Sequence, residues 1–221
     1  MLNVLFPKLC HGCKTKLLKA EEVLCGNCRH QLPLACYHRT NNETVRTIFS
    51  GRIPVVNATA LLQFHKKGIT QQLLHDLKYR KQEQISYFFG KWLGAELAEI
   101  EAYQDIDMVI PVPIHKTKKR KRGYNQVSGF GHEISQALAI PFAENVLLKK
   151  SATKSQVFKQ RFTRFGNQEV FSVKHDSLLN EKHILLVDDI VTTGATLETC
   201  ANLLLEKGAT KISVATMAIT L

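Results

Sequence analysis

Ile184-Leu185-Leu186-Val187-Asp188-Asp189-Ile190-Val191-Thr192-Thr193-Gly194-Ala195-Thr196 is the stretch on which the reading of this chain turns. Four apolar residues, Ile184–Val187, predict a strand buried on both faces, as in a parallel sheet. Its carboxyl end delivers two adjacent acids to the edge where open α/β sheets bind ligands. The turn that follows supplies hydroxyls, a glycine and the N–H groups of a helix start, which together suit a phosphate monoester. Carboxylates repel phosphate, so Asp188 and Asp189 must face another part of the ligand, either sugar hydroxyls or a magnesium shell. One acid could simply cap the helix. Two acids followed by Thr-Thr-Gly-x-Thr are harder to explain that way, and the Gly-Lys-Ser/Thr of a P-loop is absent.

Outward from this segment, strand and helix patterns alternate. Val55–Phe64 reads as a strand, Ile69–Tyr79 and Ile85–Ile100 as helices, and Met108–Val112 as a short strand. A loop follows, then a helix over about 125–139, a strand near 146–148 and a polar stretch at 151–168. The last unit is the strand at 184–187, a helix at 195–207 stopped by Gly208, and a strand at 212–218. Such alternation predicts an α/β fold with a mostly parallel sheet flanked by helices. Cys200 falls on the apolar side of the last helix and reads as core.

The first fifty residues differ. Cys10-x2-Cys13 and Cys25-x2-Cys28, eleven residues apart, let two tight turns face each other across one tetrahedral ion. We read residues 1–50 as a zinc-ribbon module with structural zinc on Cys10, Cys13, Cys25 and Cys28, and residues 51–221 as the ligand-binding domain. Two disulfides are the competing assignment. No export signal or membrane span is evident, so the expected compartment is the reducing cytoplasm, which favours metal. Cys36 and His38 are two ligands short of a second site.

The 30 Lys and Arg against 19 Asp and Glu leave a net +11, unevenly placed. Residues 105–170 hold twelve cations against five acids, whereas residues 171–221 are net negative. Six of those cations, Lys116, Lys118, Lys119, Arg120, Lys121 and Arg122, fall within seven residues. A polyanion or a phosphorylated small molecule would meet that run first; a solvated basic loop is the plainer reading.

The strand, acidic pair and Thr-Thr-Gly turn resemble the type I phosphoribosyltransferases, whose ligand is 5-phosphoribosyl-1-pyrophosphate (PRPP). That resemblance implies ribose hydroxyls on Asp188 and Asp189, and the 5′-phosphate on Thr192, Thr193, Gly194, Ala195 and Thr196. With the cysteine pairs, Ile110-Pro111-Val112-Pro113, Leu77-Lys78-Tyr79 and Lys121-Arg122-Gly123-Tyr124-Asn125-Gln126, the chain is similar to the ComF family. Gln156, Arg161 and Asn167 match that pattern too, with Val170 in place of an alanine before Phe171. A second Cys-x2-Cys around Cys36, carried by some relatives, is missing.

This likeness implies a PRPP-binding protein of natural competence, handling incoming single-stranded DNA, with helicase or recombination partners. The alternative is an active magnesium-dependent phosphoribosyltransferase with an unidentified acceptor. Pyrophosphate would lie against Pro111, Val112, Pro113, Lys121 and Arg122, where cations and magnesium offset charge developing on the leaving group. The segment 151–168 is the candidate lid, reaching the phosphates with Lys154 and Arg161. Tyr124 or nearby aromatics are the candidate stacking surfaces for single-stranded DNA.

Overall fold

The computed structural model describes residues 7–40, 43–150 and 170–220. Four parallel strands form the central sheet: β1 (Val55–Gln63), β2 (Met108–Pro111), β5 (His183–Val191) and β6 (Lys211–Ile219), in the order β1-β6-β5-β2. A separate antiparallel pair, β3 (Leu147–Lys150) and β4 (Val170–Val173), flanks residues 151–169 in the chain. Lys154 and Arg161, and with them Gln156 and Asn167, lie outside the described residues.

Both faces of the sheet are covered, as the apolar strands require. Along β5 the pleat sends Leu185 and Val187 into one core and Ile184 and Leu186 into another. The first core is filled from α4 (Ile69–Tyr79), α5 (Gln84–Ala98) and α7 (Ser128–Ala137), through Leu73, Leu77, Phe89, Leu93, Phe130 and Ile134. The second is filled from α8 (Ala195–Glu206), through Leu197, Cys200, Ala201 and Leu204, and from Val45 and Phe49.

Three short helices precede the sheet: α1 (Gly26–His30), α2 (Tyr37–Thr40) and α3 (Thr44–Thr47). Cys10, Leu17, Val23, Leu24, Cys28 and Leu32 share the first core with the sheet, so the cysteine segment packs directly on the α/β body. Residues 37–50 contribute Tyr37, Val45 and Phe49 to the second core.

Two departures from the sequence-based expectation bear on the site. The run at 116–122, expected as a loop, is the helix α6 (Lys116–Arg122), with His115 Nδ1 accepting from the Thr117 N–H at 3.3 Å and Gly123 closing its end. α6 buries no residue, so hydrophobic periodicity carried no trace of it. β5 also runs four residues beyond Val187. β6 keeps pairing with it as far as Val191 opposite Ile219, whereas β2 stops at Pro111 opposite Val187. Asp188 and Asp189 therefore sit on the part of β5 that overhangs β2.

Candidate ligand pocket and cysteine knuckle

Asp189 continues the Leu185–Val187 row and turns toward α4, where it is 4% exposed. Lys78 Nζ donates to its Oδ1 at 3.0 Å, and Gln126 Nε2 donates to its Oδ2 at 2.7 Å. Arg122 Nη1 donates in turn to Gln126 Oε1. Asp188 is half-buried, and its Oδ1 accepts the Asp189 N–H at 2.8 Å. The two acids thus have different surroundings: Asp189 is held by the Lys78 ammonium and the Gln126 amide, while Asp188 lies on the next step of the pleat.

The turn beyond β5 has the form an anion cradle needs. Gly194 adopts φ +76° and opens α8, so the turn leads into a helix amino terminus, the end of a helix that favours anions. A side chain at Gly194 would also meet Phe49 at 2.8 Å and Ile48 at 3.0 Å, so only glycine fits the turn against residues 48–49. Arg52 braces the same turn: its Nη2 donates to the Thr193 carbonyl at 2.8 Å and its Nη1 to Glu198 Oε2 at 2.7 Å. No feature of the sequence around Arg52 marks it for this role.

The segment expected to lie against pyrophosphate has few backbone donors of its own. Pro111 and Pro113 have no N–H, and Val112 N–H is committed to the Val187 carbonyl at 2.9 Å. None of these three offers a backbone donor, so their part is to fix the path of the chain, and any backbone donors begin at Ile114. Val112 O accepts from Asn125 Nδ2 at 3.0 Å, tying this segment to the 121–126 motif. Within α6, Lys119 pairs with Glu144 at 3.0 Å and Arg122 with Gln126, while Lys116, Lys118, Arg120 and Lys121 are exposed. The Lys119 and Ser128 hydrogen bonds, acting against burial, leave the Glu144 carboxyl below its ordinary range.

Tyr124 is buried, with its hydroxyl donating to the Leu77 carbonyl, so it offers no stacking surface. Burial, reinforced by Glu83, raises its pKa. The Leu77-Lys78-Tyr79 and 121–126 motifs therefore converge on one place, Asp189 and the end of α4.

The four Sγ atoms of Cys10, Cys13, Cys25 and Cys28 lie within 4.8 Å of one another. A tetrahedron of zinc–sulfur bonds of about 2.3 Å requires separations just under 4 Å, and Cys13 and Cys25 stand 3.6 Å apart. Backbone N–H groups already point at sulfur: Cys25 N–H donates to Cys10 Sγ at 3.3 Å and Cys28 N–H to Cys25 Sγ at 3.5 Å. A side chain at Gly12 would lie 2.7 Å from Cys28 Sγ, so that residue must be small for the knuckle to close. The donor set fits a structural zinc site. Burial pushes the Cys28 thiol up to about 12, while a hydrogen bond from Thr15 brings Cys13 down to about 6. The knuckle is fastened to α4 by Gln72 Nε2, bonded to the His11 and Gly12 carbonyls at 2.6 and 3.0 Å, and by Lys14 on buried Asp76 at 3.3 Å. His38 has a different duty: its ring bridges Thr59 Oγ1 at 2.9 Å and Glu96 Oε2 at 2.7 Å. Burial holds its pKa down despite Glu96.

Comparison with known proteins agrees with this geometry. The phosphoribosyl transferase domain model matches residues 128–219, from α7 to the end of β6. Competence protein ComFC of Bacillus subtilis is 26% identical over 202 residues, covering 91% of this chain and 79% of its own. Competence protein F of Haemophilus influenzae is 24% identical over 219 residues, covering 96% and 91%. Over most of its length the chain is similar to these competence proteins. DNA utilization protein YhgH of Escherichia coli O157:H7 is 28% identical over 146 residues, 64% of this chain and 63% of that one, so the match spans a little under two thirds of that relative. The chain's α/β fold is that of the type I phosphoribosyltransferases, with the cysteine knuckle set on the sheet. Among the described residues no helix is long and apolar enough to cross a membrane.

Proposed function

We propose that this protein binds PRPP at the carboxyl end of β5 and serves the handling of incoming single-stranded DNA in natural competence. The observation that carries the reading is the direct succession, on one strand end, of an acidic pair and a glycine-opened helix. The first suits vicinal hydroxyls and the second a phosphate monoester, and PRPP presents both. Magnesium would enter with PRPP, with Asp188 the carboxylate placed to hold it; Mg²⁺ supplies charge neutralisation to the pyrophosphate. The competence role rests on relatives named for competence and DNA utilization.

Titration calorimetry with PRPP and magnesium tests the pocket. Binding to the native protein, abolished in an Asp188→Ala, Asp189→Ala double variant, supports it; equal affinity in both refutes it. The exposed cations of α6 are the proposed partners of DNA phosphates, which predicts a steep salt dependence. Removing one phosphate-binding cation should lower the slope by about 0.7 for a single strand. A slope unchanged after neutralising Lys116, Lys118, Arg120 and Lys121 would exclude α6 from the DNA interface.

A second reading keeps the same pocket but adds turnover. The retained acidic pair and phosphate turn favour transfer of ribose-5-phosphate from PRPP to an acceptor. Pyrophosphate release measured across nucleobases and other nucleophiles separates it from binding alone.

A further inference from the structure

Lys78 belongs neither to the acidic pair nor to the phosphate turn, yet its ammonium is 3.0 Å from Asp189 Oδ1. The carboxylate is 6% exposed and the lysine side chain 25%. Its second oxygen is taken by Gln126, whose amide cannot turn over without losing Arg122, because Oε1 is the acceptor for that guanidinium. Both oxygens of Asp189 are therefore already served by the protein. The lysine is equally constrained. It projects from a helix anchored through Leu73, Leu74 and Leu77, and the Tyr124 hydroxyl is fixed on the Leu77 carbonyl. Two residues earlier, Asp76 ties the same helix to Lys14 of the cysteine knuckle.

A ligand with several phosphate charges is repelled by two adjacent carboxylates, and a divalent cation is the ordinary remedy. Here a fixed ammonium already stands against one of them. Taking one partner out of a buried ion pair leaves a charge that must find another counter-ion or destabilise the fold.

We propose that Lys78 is the standing counter-charge of the acidic pair, positioning Asp189 and lowering the demand of the pocket for a divalent cation. The identity of the ligand rests on the PRPP reading of the same pocket; the Lys78–Asp189 contact does not.

The test compares native protein with Lys78→Met and Lys78→Arg in two measurements. The first is thermal unfolding with magnesium chloride alone, against potassium chloride of equal ionic strength. The second is PRPP binding across a magnesium titration. Lys78→Met is expected to gain a magnesium-specific rise in Tm that the native protein lacks, and to need about tenfold more magnesium for half-maximal PRPP binding, equivalent to about 1.4 kcal/mol. Lys78→Arg should behave as native, because it keeps the charge. An identical magnesium response in native and Lys78→Met protein overturns the proposal. If the native protein binds no PRPP at any magnesium concentration, the ligand assignment fails, while the unfolding measurement still decides the role of Lys78. Should Lys78→Met not fold, Lys78→Met with Asp189→Asn removes both charges. Recovery of folding with no magnesium-specific rise supports the counter-charge role, and failure to recover overturns it.

Discussion

The two ends of β5 both gather charge, and they use it in opposite ways. At the amino end, His183 lies between Asp105 at 3.0 Å and Ser213 Oγ at 2.9 Å, while Lys211 holds Asp105 at 2.9 Å and Lys182 holds Asp107 at 3.1 Å. The lysines and aspartates there pair with one another, His183 Nδ1 lies beside Asp105 without hydrogen-bond geometry, and Ser213 is fully buried, so this chain of serine, histidine and aspartate has no access for a substrate. At the carboxyl end, the acids meet a turn that presents N–H groups and a surface rich in lysine. The same residue types read as a clasp at one end and a pocket at the other, because only the carboxyl edge of a parallel sheet joins strand ends to helix amino termini.

Variants should part the two ends clearly. The largest effect is expected at the turn: Gly194→Val forces a branched residue into φ +76° against Phe49, and should abolish PRPP binding and cost about 1–3 kcal/mol of stability, read by calorimetry and chemical denaturation. Arg52→Ala comes next. Loss of its bonds to Thr193 and Glu198 should weaken PRPP about tenfold, with a smaller loss of stability, about 1 kcal/mol. Ser213→Ala, at the other end, should lower stability by about 1 kcal/mol and leave PRPP affinity as it was; an altered affinity would erase the distinction between the ends.

The smallest effect concerns acid. A Lys211 hydrogen bond holds Asp105, and the His183 N–H holds Asp107, below the ordinary carboxylate range. Such groups stabilise the fold above their unfolded pKa, and that contribution disappears as pH falls through the lowered folded values. Both acids are at least a third exposed, so solvent screening keeps the contribution small. Asp107→Asn should flatten the acid limb of Tm against pH only slightly, and leave PRPP binding at neutral pH unaffected.

What the sequence disclosed follows the range of the interactions involved. Helix α4 was legible to the residue at 69–79, because its apolar spacing records burial locally. The cysteine knuckle and the turn at 192–196 were legible because spacing alone constrains them. α6 was not, since it buries nothing. Nor was the tie between Lys78 and Asp189, which joins residues 111 positions apart and has no periodic signature. The consumed N–H of Val112 and the burial of Tyr124 were hidden for the same reason: both depend on what a distant strand or helix places alongside.

The cysteine knuckle sharpens the contrast from outside the sheet. It shares the core of α4, the helix that carries Lys78, so stripping a metal held by its four thiols should loosen more than the amino terminus. Chelation is expected to raise hydrogen exchange in α4 as well as in residues 7–31, and exchange confined to the latter would show that α4 is held by the sheet alone.

The most direct measurement is a crystal structure of the protein soaked with PRPP and magnesium. The account predicts ribose hydroxyls beside Asp188 and Asp189, and the 5′-phosphate on the N–H groups of residues 192–196. PRPP bound elsewhere, or the turn at Gly194 closed to it by residues 48–52, would contradict the account.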